Sequence, residues 1–398
     1  MRSVFFWRDV PLDVNLGAFD SFSKLYTGVI TVVLRNKVMD ERGAVGFDGY
    51  ENENVKCVSL DANDEAAYAK AVEMINANMD AIHIFSGIKG FNGKVLNCLI
   101  KKSKDMNKKP RIGFIGERPL YGVVRSGDCF VISKIKLFLK NICSRLNYKY
   151  LSFKYSRYIS VMFVMGQIGE FKYKEYGFKP DIVFPYMYCP NLSLSCERNY
   201  GVHSPIRLLY IGRFNFSTKG LDVLIHAINR IPLQENKKYV LDLVGGYGDK
   251  VEDVEKWVQS RQNVNFVGTW KVNDVCNKMT DYDVCVVPSR FDGWNLTPNE
   301  AIYSGVATII SSEAGSDELI SESEAGIVFD VDKKNELSEI LKYIIDKPHI
   351  VEQWKKNTDD YRKKISPDVI GKYFYDVLEY VFDGVGDRPT CPWRIKIT

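Results

Sequence analysis

Short apolar runs alternate with helical patterns over the second half of the chain. From about residue 206 onward, runs rich in β-branched residues predict strands, and apolar residues repeating every three or four positions predict helices between them. The predicted strands are 207–212, 239–244, 264–267, 283–287, 307–310 and 326–329, and the predicted helices are 219–231, 298–304 and 333–344. Because strands that alternate with helices need a parallel sheet covered on both faces, this half is predicted to be a doubly wound, Rossmann-like α/β domain.

The first half of the chain follows the same alternation less regularly. Its predicted strands are 4–7, 30–34, 55–60, 81–85, 111–115 and 181–184, with helices at 65–76 and 94–104. A stretch rich in Asn, Ser, Cys and Pro, residues 189–205, links the halves, and a helical pattern over 369–382 follows the second alternation. We expect an N-terminal domain at 1–200, a C-terminal domain at 201–366, and a helix and tail at 367–398 that packs back on the first domain.

Composition supports a globular protein of two domains. The chain has 398 residues, of which 45% are hydrophobic and 26% are charged, an ordinary globular balance. No apolar run is long enough to span a bilayer, and the four apolar residues after Ser3 are too few for an export signal, so we expect a cytoplasmic protein. Nine cysteines and four histidines show no metal-ligand spacing, so we expect reduced thiols and no metal cofactor.

The basic residues are concentrated in one part of the chain. Residues 101–180 hold 18 Lys and Arg against 5 Asp and Glu, although the whole chain carries a net charge of only +4. Within this part an apolar stripe is flanked by basic side chains; the stripe comprises Ile135, Phe138, Leu139, Ile142 and Leu146, and the flanks comprise Lys134, Lys136, Lys140 and Arg145. The stretch 130–158 is either a core-facing helix with solvated lysines or a peripheral membrane element that rests on anionic lipid and admits a lipid-linked acceptor.

A glycine-containing loop between a buried strand and a helix carries the most specific chemistry. The strand ends at Pro288, and Asp292 and Glu300 stand on either side of the loop. Thr297 is predicted to cap the helix, with Pro298 at its first position. Unpaired N–H groups at such a helix start suit a diphosphate, and flanking carboxylates can accept hydrogen bonds from sugar hydroxyls. Ligands of parallel α/β folds bind at this end of the strands.

The same block resembles the paired-acid signature of family-4 glycosyltransferases. Asp292-Gly293-Trp294-Asn295-Leu296-Thr297 leads to Glu300-Ala301, as the family's first acid leads through a Gly-rich loop to Glu-Ala. Upstream, Gly212-Arg213 and Lys219-Gly220-Leu221 resemble the family's phosphate-binding stretch, and the segments Leu243 to Gly248 and Val264 to Gly268 recur between them. The order and separation of these four elements match over residues 206–345, which makes the resemblance specific.

The resemblance implies a retaining, metal-independent glycosyltransferase of the surface-polysaccharide or O-antigen type. Its fold would be α/β of the GT-B kind, with two Rossmann-like domains facing each other across a cleft, the first for the acceptor and the second for a nucleotide-diphosphate sugar. Arg213 and Lys219 would bind the donor diphosphate and act in catalysis with Asp292, which would contact a sugar hydroxyl. Glu300 would hold the ribose hydroxyls. Further donor contacts would come from Gly245, Gly293, Trp294, Asn295, Leu296 and Thr297.

The partners that the resemblance implies are a UDP- or GDP-linked hexose as donor and a glycan or lipid-linked saccharide as acceptor, in cell-surface polysaccharide synthesis. Nucleic acid is not among them. Three positions depart from the family pattern: Asp292 stands for the commoner Glu, Asn295 for a usual Gly, and Glu117 for a His that often follows a strand of the first domain. Because Asn tolerates positive φ, we expect Asn295 to keep the glycine's conformation. Glu117 is a candidate catalytic residue on the acceptor side.

Other interpretations concern single residues and the whole chain. Asp281-Tyr282-Asp283 is interpreted as turn and strand-start chemistry rather than a metal motif, and His83 as a satisfied core residue. Glu318 either contacts the donor or is a surface acid of a helix. The alternative functions are another GT-B sugar-nucleotide enzyme, such as an epimerase or a phosphorylase, and a nucleic-acid-binding protein that uses the basic stretch 130–158.

Overall fold

The computed structural model describes residues 2–8, 15–35, 55–60, 63–119, 130–192, 194, 197–246, 248 and 250–394, with side chains in the helix 130–155 described from residue 138 onward. Tyr247, within the segment Leu243 to Gly248, lies outside this part, as do the side chains of Lys134, Ile135 and Lys136. The described residues form two compact units. Unit 1 comprises the described residues within Met1–Pro119, Ile142–Asn191 and Ser366–Pro392. Unit 2 comprises those within Leu120–Asn141, Leu192–Ile365 and Trp393–Thr398.

Unit 1 contains a seven-stranded parallel sheet with the order β3-β2-β1-β4-β5-β6-β7. Its strands are β1 Val4–Arg8, β2 Ile30–Leu34, β3 Val55–Ser59, β4 Ile82–Phe85, β5 Arg111–Gly116, β6 Ile159–Met165 and β7 Val183–Tyr186. Unit 2 contains a six-stranded parallel sheet with the order β10-β9-β8-β11-β12-β13. Its strands are β8 Ile206–Ile211, β9 Tyr239–Val244, β10 Val264–Gly268, β11 Val284–Val287, β12 Ala307–Ser311 and β13 Gly326–Phe329. Each sheet has the strand order of a doubly wound fold.

The helices that cover these sheets follow the alternation that the sequence predicts. In chain order they are α1 Leu16–Leu25, α2 Asp64–Ala77, α3 Gly90–Asp105, α4 Phe130–Tyr155, α5 Gln167–Glu175, α6 Leu221–Asn229, α7 Val251–Gln259, α8 Val275–Met279, α9 Thr297–Ser304, α10 Asp317–Ser323, α11 Glu336–Asp346, α12 Pro348–Lys364 and α13 Pro367–Asp383. Within unit 1, α13 packs against α1, where a side chain at Gly371 would lie 2.7 Å from the Ala18 carbonyl oxygen. The C-terminal helix therefore completes the core of unit 1.

Some elements were missing from the sequence prediction. The strand β6 is a continuous apolar run, the pattern of a strand buried on both faces, and it begins directly after the aromatic stretch that ends at Tyr158. The helices α1, α5 and α12 were also missing; α12 is a strongly polar helix whose few buried positions include Val351 and Tyr361. At 181–184 the chain first makes a 3₁₀ turn, Pro180–Ile182, so that strand begins later than predicted, at Val183.

The helix α4 contradicts the core-facing interpretation of its apolar stripe. Phe138, Leu139, Ile142 and Leu146 are all exposed large hydrophobic side chains. The buried positions of α4 lie elsewhere on the helix, at Leu151, Ser152 and Tyr155, and Leu151 and Tyr155 belong to the core of unit 1. In the described part of the chain, α4 included, no helix has the length and apolar character needed to cross a membrane.

The sheet of unit 2 places two loops side by side. Its first strand, β8, lies in the middle of the sheet between β9 and β11, so the strand order reverses at the β8/β11 neighbours. The helices that follow β8 and β11 leave on different sides of such a sheet, and a crevice forms outside the carboxyl ends of the two strands. The loops 212–220 and 288–296 lie at these ends.

Candidate functional site

The two loops are joined through their backbones. The N–H groups of Arg290 and Phe291 donate to the carbonyl oxygen of Thr218, at 2.8 and 3.2 Å. Gly220, which directly precedes α6, has φ +64°, and a Cβ atom there would lie 1.9 Å from the carbonyl oxygen of Pro288. Only glycine fits this approach without moving one of the loops. The Lys219-Gly220 pair of the sequence therefore has a structural reason for its glycine.

An ion pair that sequence reasoning missed ties the same loops together. The two terminal guanidinium nitrogens of Arg290 donate to the carboxylate of Asp222, at 2.5 and 2.8 Å. One of them, Nη1, also donates to the carbonyl oxygen of Phe216 at 2.8 Å. Two parallel charge-assisted bonds of this kind fix geometry as well as adding energy. The two residues lie 68 positions apart, and only their membership in the two recognised motifs could have signalled the contact.

A lysine and two polar side chains meet at the crevice. The Nζ atom of Lys219 lies 2.5 Å from Oδ2 of Asp292, and Nδ2 of Asn295 donates to the same oxygen at 3.1 Å. The lysine and aspartate side chains keep about a fifth of their surface exposed, at 21% and 19%. The structure thus brings one cation and one carboxylate, predicted from separate motifs, to a single solvent-accessible point.

The start of α9 differs by one residue from the prediction. Leu296 is the cap residue, Thr297 is the first helical residue, and Pro298 is the second. The side chain of Asn295 provides the capping interaction, because its Oδ1 accepts the N–H of Thr297 at 3.0 Å. The expectation of a positive φ at Asn295 is wrong, since it is not among the described non-glycine residues with that conformation. An amide at this position holds both Asp292 and the helix start.

Glu300 lies on the first turn of α9 and is half-buried. Desolvation by burial raises the pKa of its carboxyl to about 7. The buried, free thiols of Cys276 and Cys285 lie close enough that, after burial, the charge of Glu300 further raises their pKa values. This carboxyl is therefore set to change its protonation state near neutral pH.

The other residues predicted at the site are mainly backbone contributors or packing residues in the structure. Trp294 is buried, and its indole N–H donates to Oδ1 of Asn299 at 3.1 Å. Gly293 is buried, and Gly315 lies against it: a Cβ atom added at Gly315 would lie 2.5 Å from the carbonyl oxygen of Gly293. Leu296 is partly buried and Thr297 is buried. These residues shape the loop whose backbone faces the crevice.

Gly245 and Arg213 lie at the ends of the neighbouring strands. A Cβ atom at Gly245 would lie 2.1 Å from the carbonyl oxygen of Gly212, so the loops after β8 and β9 touch there. The Arg213 side chain is exposed, and its backbone carbonyl accepts the hydroxyl of Tyr210 at 2.8 Å. The guanidinium makes no hydrogen bond or ion pair with any described residue, in contrast to the paired Lys219.

Glu117 lies in unit 1, directly after β5. Its exposed carboxylate accepts the hydroxyl of Tyr188 at 2.7 Å, and its backbone carbonyl accepts the hydroxyl of Tyr173 at 3.2 Å. Burial of Tyr188, and then the charge of Glu117, hold the pKa of that phenol well above its usual range. Tyr188 was not identified from the sequence, where it lies two residues after Tyr186 and belongs to no motif.

Three further interpretations can be compared with the geometry. Glu318 is buried, not a surface acid, and the guanidinium of Arg394 binds its Oε2 at 2.8 and 2.6 Å. His83 is a satisfied core residue: its ring contacts Trp7 Nε1 at 3.1 Å and the Asn78 carbonyl at 3.0 Å, and burial lowers its pKa to about 4. In the described ranges, no three His, Cys, Asp or Glu side chains are grouped as metal ligands.

Asp283 is a buried structural hub at the opposite end of the unit 2 sheet. Its carboxylate accepts the backbone N–H of Arg207 at 2.8 Å, Nζ of the buried Lys355 at 3.1 Å, and bonds from the backbone and ring of His203 at 2.9 to 3.2 Å. It precedes β11, at the amino end of the strands. This confirms the interpretation as strand-start chemistry.

The part of the chain that holds these loops matches a known protein family. Residues 199–361 match the family described as Glycosyl transferases group 1. This part of the chain is a glycosyltransferase group 1 domain. The matched range contains Arg213, Lys219, Asp292 and Glu300, so the recognised motifs lie within the domain. The resemblance drawn from the sequence is confirmed.

Curated relatives match the same domain. A protein of the cps region of Klebsiella pneumoniae is 27% identical over 168 residues, which are 42% of this chain and 43% of that protein. A glycosyltransferase of Methanocaldococcus jannaschii, described as uncharacterized, is 28% identical over 148 residues, 36% of this chain and 38% of that protein. The matched segment spans less than half the length of each of these relatives.

Solved structures resemble the chain over nearly its whole length. Anabaena HepE in complex with UDP has a TM-score of 0.68 at 15% identity, covering 95% of this chain and 100% of that one. The apo form of WaaB, a lipopolysaccharide outer core galactosyltransferase, has a TM-score of 0.66 at 13% identity, covering 97% and 100%. At such identities the likeness shows the fold, and the predicted α/β GT-B fold is confirmed.

Proposed function

We propose that the chain is a retaining, metal-independent glycosyltransferase that transfers a hexose from a UDP- or GDP-linked donor. Its acceptor would be a glycan or lipid-linked saccharide of a cell-surface polysaccharide, and its place of action the cytoplasm. The observation that carries the proposal is the meeting of Lys219, Asp292 and Asn295 at the carboxyl ends of β8 and β11. Doubly wound folds bind nucleotides at this point of the sheet.

The roles proposed for the residues follow from charge and position. Lys219 and Arg213 are cations that a diphosphate would attract, and the guanidinium of Arg213 has no partner among the described residues. The N–H groups at the start of α9 add a positive dipole end. Asp292 holds Lys219 in place and has an accessible carboxylate that can accept a sugar hydroxyl. Glu300 offers its carboxylate, when ionised, to the ribose hydroxyls.

The chemistry needs a stabilised leaving group. When the bond from the anomeric carbon to the diphosphate oxygen breaks, the electron pair leaves with the diphosphate, and fixed positive groups beside it lower the barrier. Arg213, Lys219 and the α9 amides would supply this stabilisation, which is the support for metal independence. Relatives point to the class of product: HepE was solved with UDP, WaaB is a lipopolysaccharide galactosyltransferase, and the Klebsiella relative comes from a cps region.

A thermal-shift panel of UDP- and GDP-sugars, each measured with and without EDTA, tests the proposal. A donor at about a hundred times its dissociation constant should stabilise the protein by about 2.7 kcal/mol, which corresponds to roughly 5 to 10 °C for a unit of this size. We expect one nucleotide series to give this shift and EDTA to leave it unchanged.

Two lysine variants make the panel specific to the site. Lys219→Met should abolish the shift, whereas Lys278→Met should retain it, because Lys278 is also paired with an aspartate in unit 2 but lies on α8. Absence of a shift with every nucleotide sugar would contradict the proposed function. A shift that survives Lys219→Met would place the donor elsewhere, and loss with EDTA would overturn metal independence.

A further inference from the structure

The helix α4 has two apolar faces. One face is buried: Leu151 and Tyr155 lie in the core of unit 1, and the Tyr148 ring stacks 5.5 Å from Tyr176, the residue that follows α5. The other face is exposed to solvent. A helix that covers a sheet normally presents a polar face outward, so the second apolar face needs an explanation that the core of unit 1 does not give.

The exposed face forms one continuous stripe, which comprises Ile142, Leu146, Tyr150 and Phe153. It shares Ile142 and Leu146 with the stripe that the sequence shows and continues it toward the end of α4. The exposed fractions of its four residues, in chain order, are 41%, 62%, 59% and 86%. The spacings of four, four and three residues keep all four side chains on one side of an α-helix. Since 100° of rotation separate successive residues, this stripe lies on the side of the helix opposite Leu151 and Tyr155. Phe171, on the neighbouring α5, is also strongly exposed.

The charges that α4 itself carries have a single sign. The 26 residues of α4 contain six Lys or Arg and no Asp or Glu. Arg145 and Lys149 border the stripe on one side, and Lys154 borders it on the other. Arg145 is held by Glu175 of α5 at 2.6 Å, while Lys149 is exposed. An apolar centre between two basic edges is the pattern of a helix that lies at a lipid interface.

We propose that α4 is an interfacial helix that binds the surface of a bilayer containing anionic phospholipids. The stripe would enter the boundary between headgroups and acyl chains, and the basic edges would meet the phosphates. A second copy of the same surface is a poor occupant, because a symmetric pairing sets like charges against each other. A nucleic acid fits less well, because its phosphates need cations where this surface has Leu146 and Phe153.

The inference is independent of the proposed donor chemistry, because lipid binding can be measured without any nucleotide sugar. The full chain is sedimented with vesicles of phosphatidylcholine alone and with vesicles that also contain phosphatidylglycerol. We expect binding to the mixed vesicles, weakened by added salt, and little binding to the neutral ones. The double variant Leu146→Ser/Phe153→Ser should reduce the partition coefficient about tenfold or more, because it removes two large apolar side chains from the interface.

Two single variants complete the test. Lys149→Gln should lower binding to mixed vesicles about fivefold, the effect of one basic residue near an anionic surface. Leu233→Ser is the matched control, because Leu233 is an equally apolar side chain, 73% exposed, in unit 2. It should bind as the unmodified chain does. All altered side chains are exposed, so melting temperatures should be unchanged.

Several results would overturn the inference. Equal binding to neutral and mixed vesicles, or none to either, would exclude an anionic bilayer as the partner. Unchanged binding of the double variant would move the contact away from α4. Retarded migration of RNA that disappears in the double variant, without vesicle binding, would assign the surface to a nucleic acid instead.

Discussion

At the scale of single residues, Glu300 has opposing influences on its charge. Its place on the first turn of α9 favours the ionised form, because the helix N-terminus carries a partial positive charge. Burial opposes ionisation, and it dominates, since the pKa of the carboxyl is raised to about 7. In the role proposed for Glu300, the carboxylate accepts two ribose hydroxyls and has to be ionised when the donor binds. Donor affinity should therefore depend on the protonation of this residue.

We expect the affinity for UDP to rise about tenfold between about pH 6 and pH 8, as the competent, ionised fraction of Glu300 grows through its pKa. Isothermal titration calorimetry across this range gives the measurement. The second ionisation of a terminal phosphate also falls near pH 6, so the nucleotide contributes a pH dependence of its own. The Glu300→Gln variant is titrated with the same nucleotide, so it loses only the contribution of the Glu300 side chain to the pH dependence of affinity.

The variant also reports on stability, with a definite sign. The folded-state pKa of Glu300 is raised above its unfolded value, so between about pH 4 and pH 7 the folded protein binds a proton that the unfolded chain does not. The stability that this proton contributes is lost as the pH rises through about 7. Glu300→Gln should lack this loss and be more stable than the parent at about pH 8. Parallel pH profiles of parent and variant, for both affinity and stability, would contradict the pKa assigned to Glu300.

Sequence patterns reach some residues of the site and not others. Lys219 and Asp292 could be proposed from two motifs, and the structure brings them within 2.5 Å. The conformation of Asn295 could not be predicted from the sequence. The choice between a positive φ and a capping side chain depends on neighbouring backbone that only the folded loop supplies. The burial of Trp294 escaped notice for a similar reason: a tryptophan in a loop has no periodicity to show which way it points.

At the scale of elements, Gly220 sets how closely the loops after β8 and β11 approach. Gly220→Ala should destabilise the protein by about 3 kcal/mol or more, from the left-handed backbone and from overlap with the Pro288 carbonyl oxygen. It should also weaken UDP binding, because Lys219 precedes this glycine and Asp292 follows Pro288. Thermal denaturation and nucleotide titration give the two readouts.

Gly384 provides the matched control for this substitution. Its φ is +68°, close to the +64° of Gly220, but a Cβ atom there meets nothing within 4 Å. Gly384→Ala should therefore cost only the backbone penalty of about 1 to 2 kcal/mol and leave UDP affinity unchanged. If both variants lose the same stability, the close approach of the two loops is not what requires glycine at position 220.

Element prediction succeeded where periodicity and burial agree. The strands 30–34, 239–244 and 326–329 were predicted with the bounds of β2, β9 and β13. The helix α4 shows the limit, because its sequence has apolar residues on two sides and no pattern tells which side meets the core. For the stripe through Leu146 the sequence left a core face and a membrane-contacting face open, and the structure leaves this side exposed.

At the scale of the whole chain, the two ends of the unit 2 sheet have different characters. The carboxyl end carries the loops with Lys219 and Asp292. The amino end carries the buried Asp283 hub and, beside it, a cavity of about 450 Å³ lined by residues that include His203, Arg207 and Tyr282. Chemistry favours the carboxyl end, because its loops carry the cations Arg213 and Lys219 beside the start of α9.

Hydrogen–deuterium exchange over the whole chain distinguishes the two ends. With UDP at about a hundred times its dissociation constant, amides that exchange only from the unliganded form should slow about a hundredfold. We expect this protection in peptides covering 212–220 and 288–300, whose backbones form the crevice. Peptides covering 203–207 and 281–283 should exchange as before, because their hydrogen bonds already belong to the Asp283 hub. Protection confined to those amino-end peptides would assign the nucleotide to the cavity, and the proposed roles of Lys219, Asp292 and Glu300 would then have no basis.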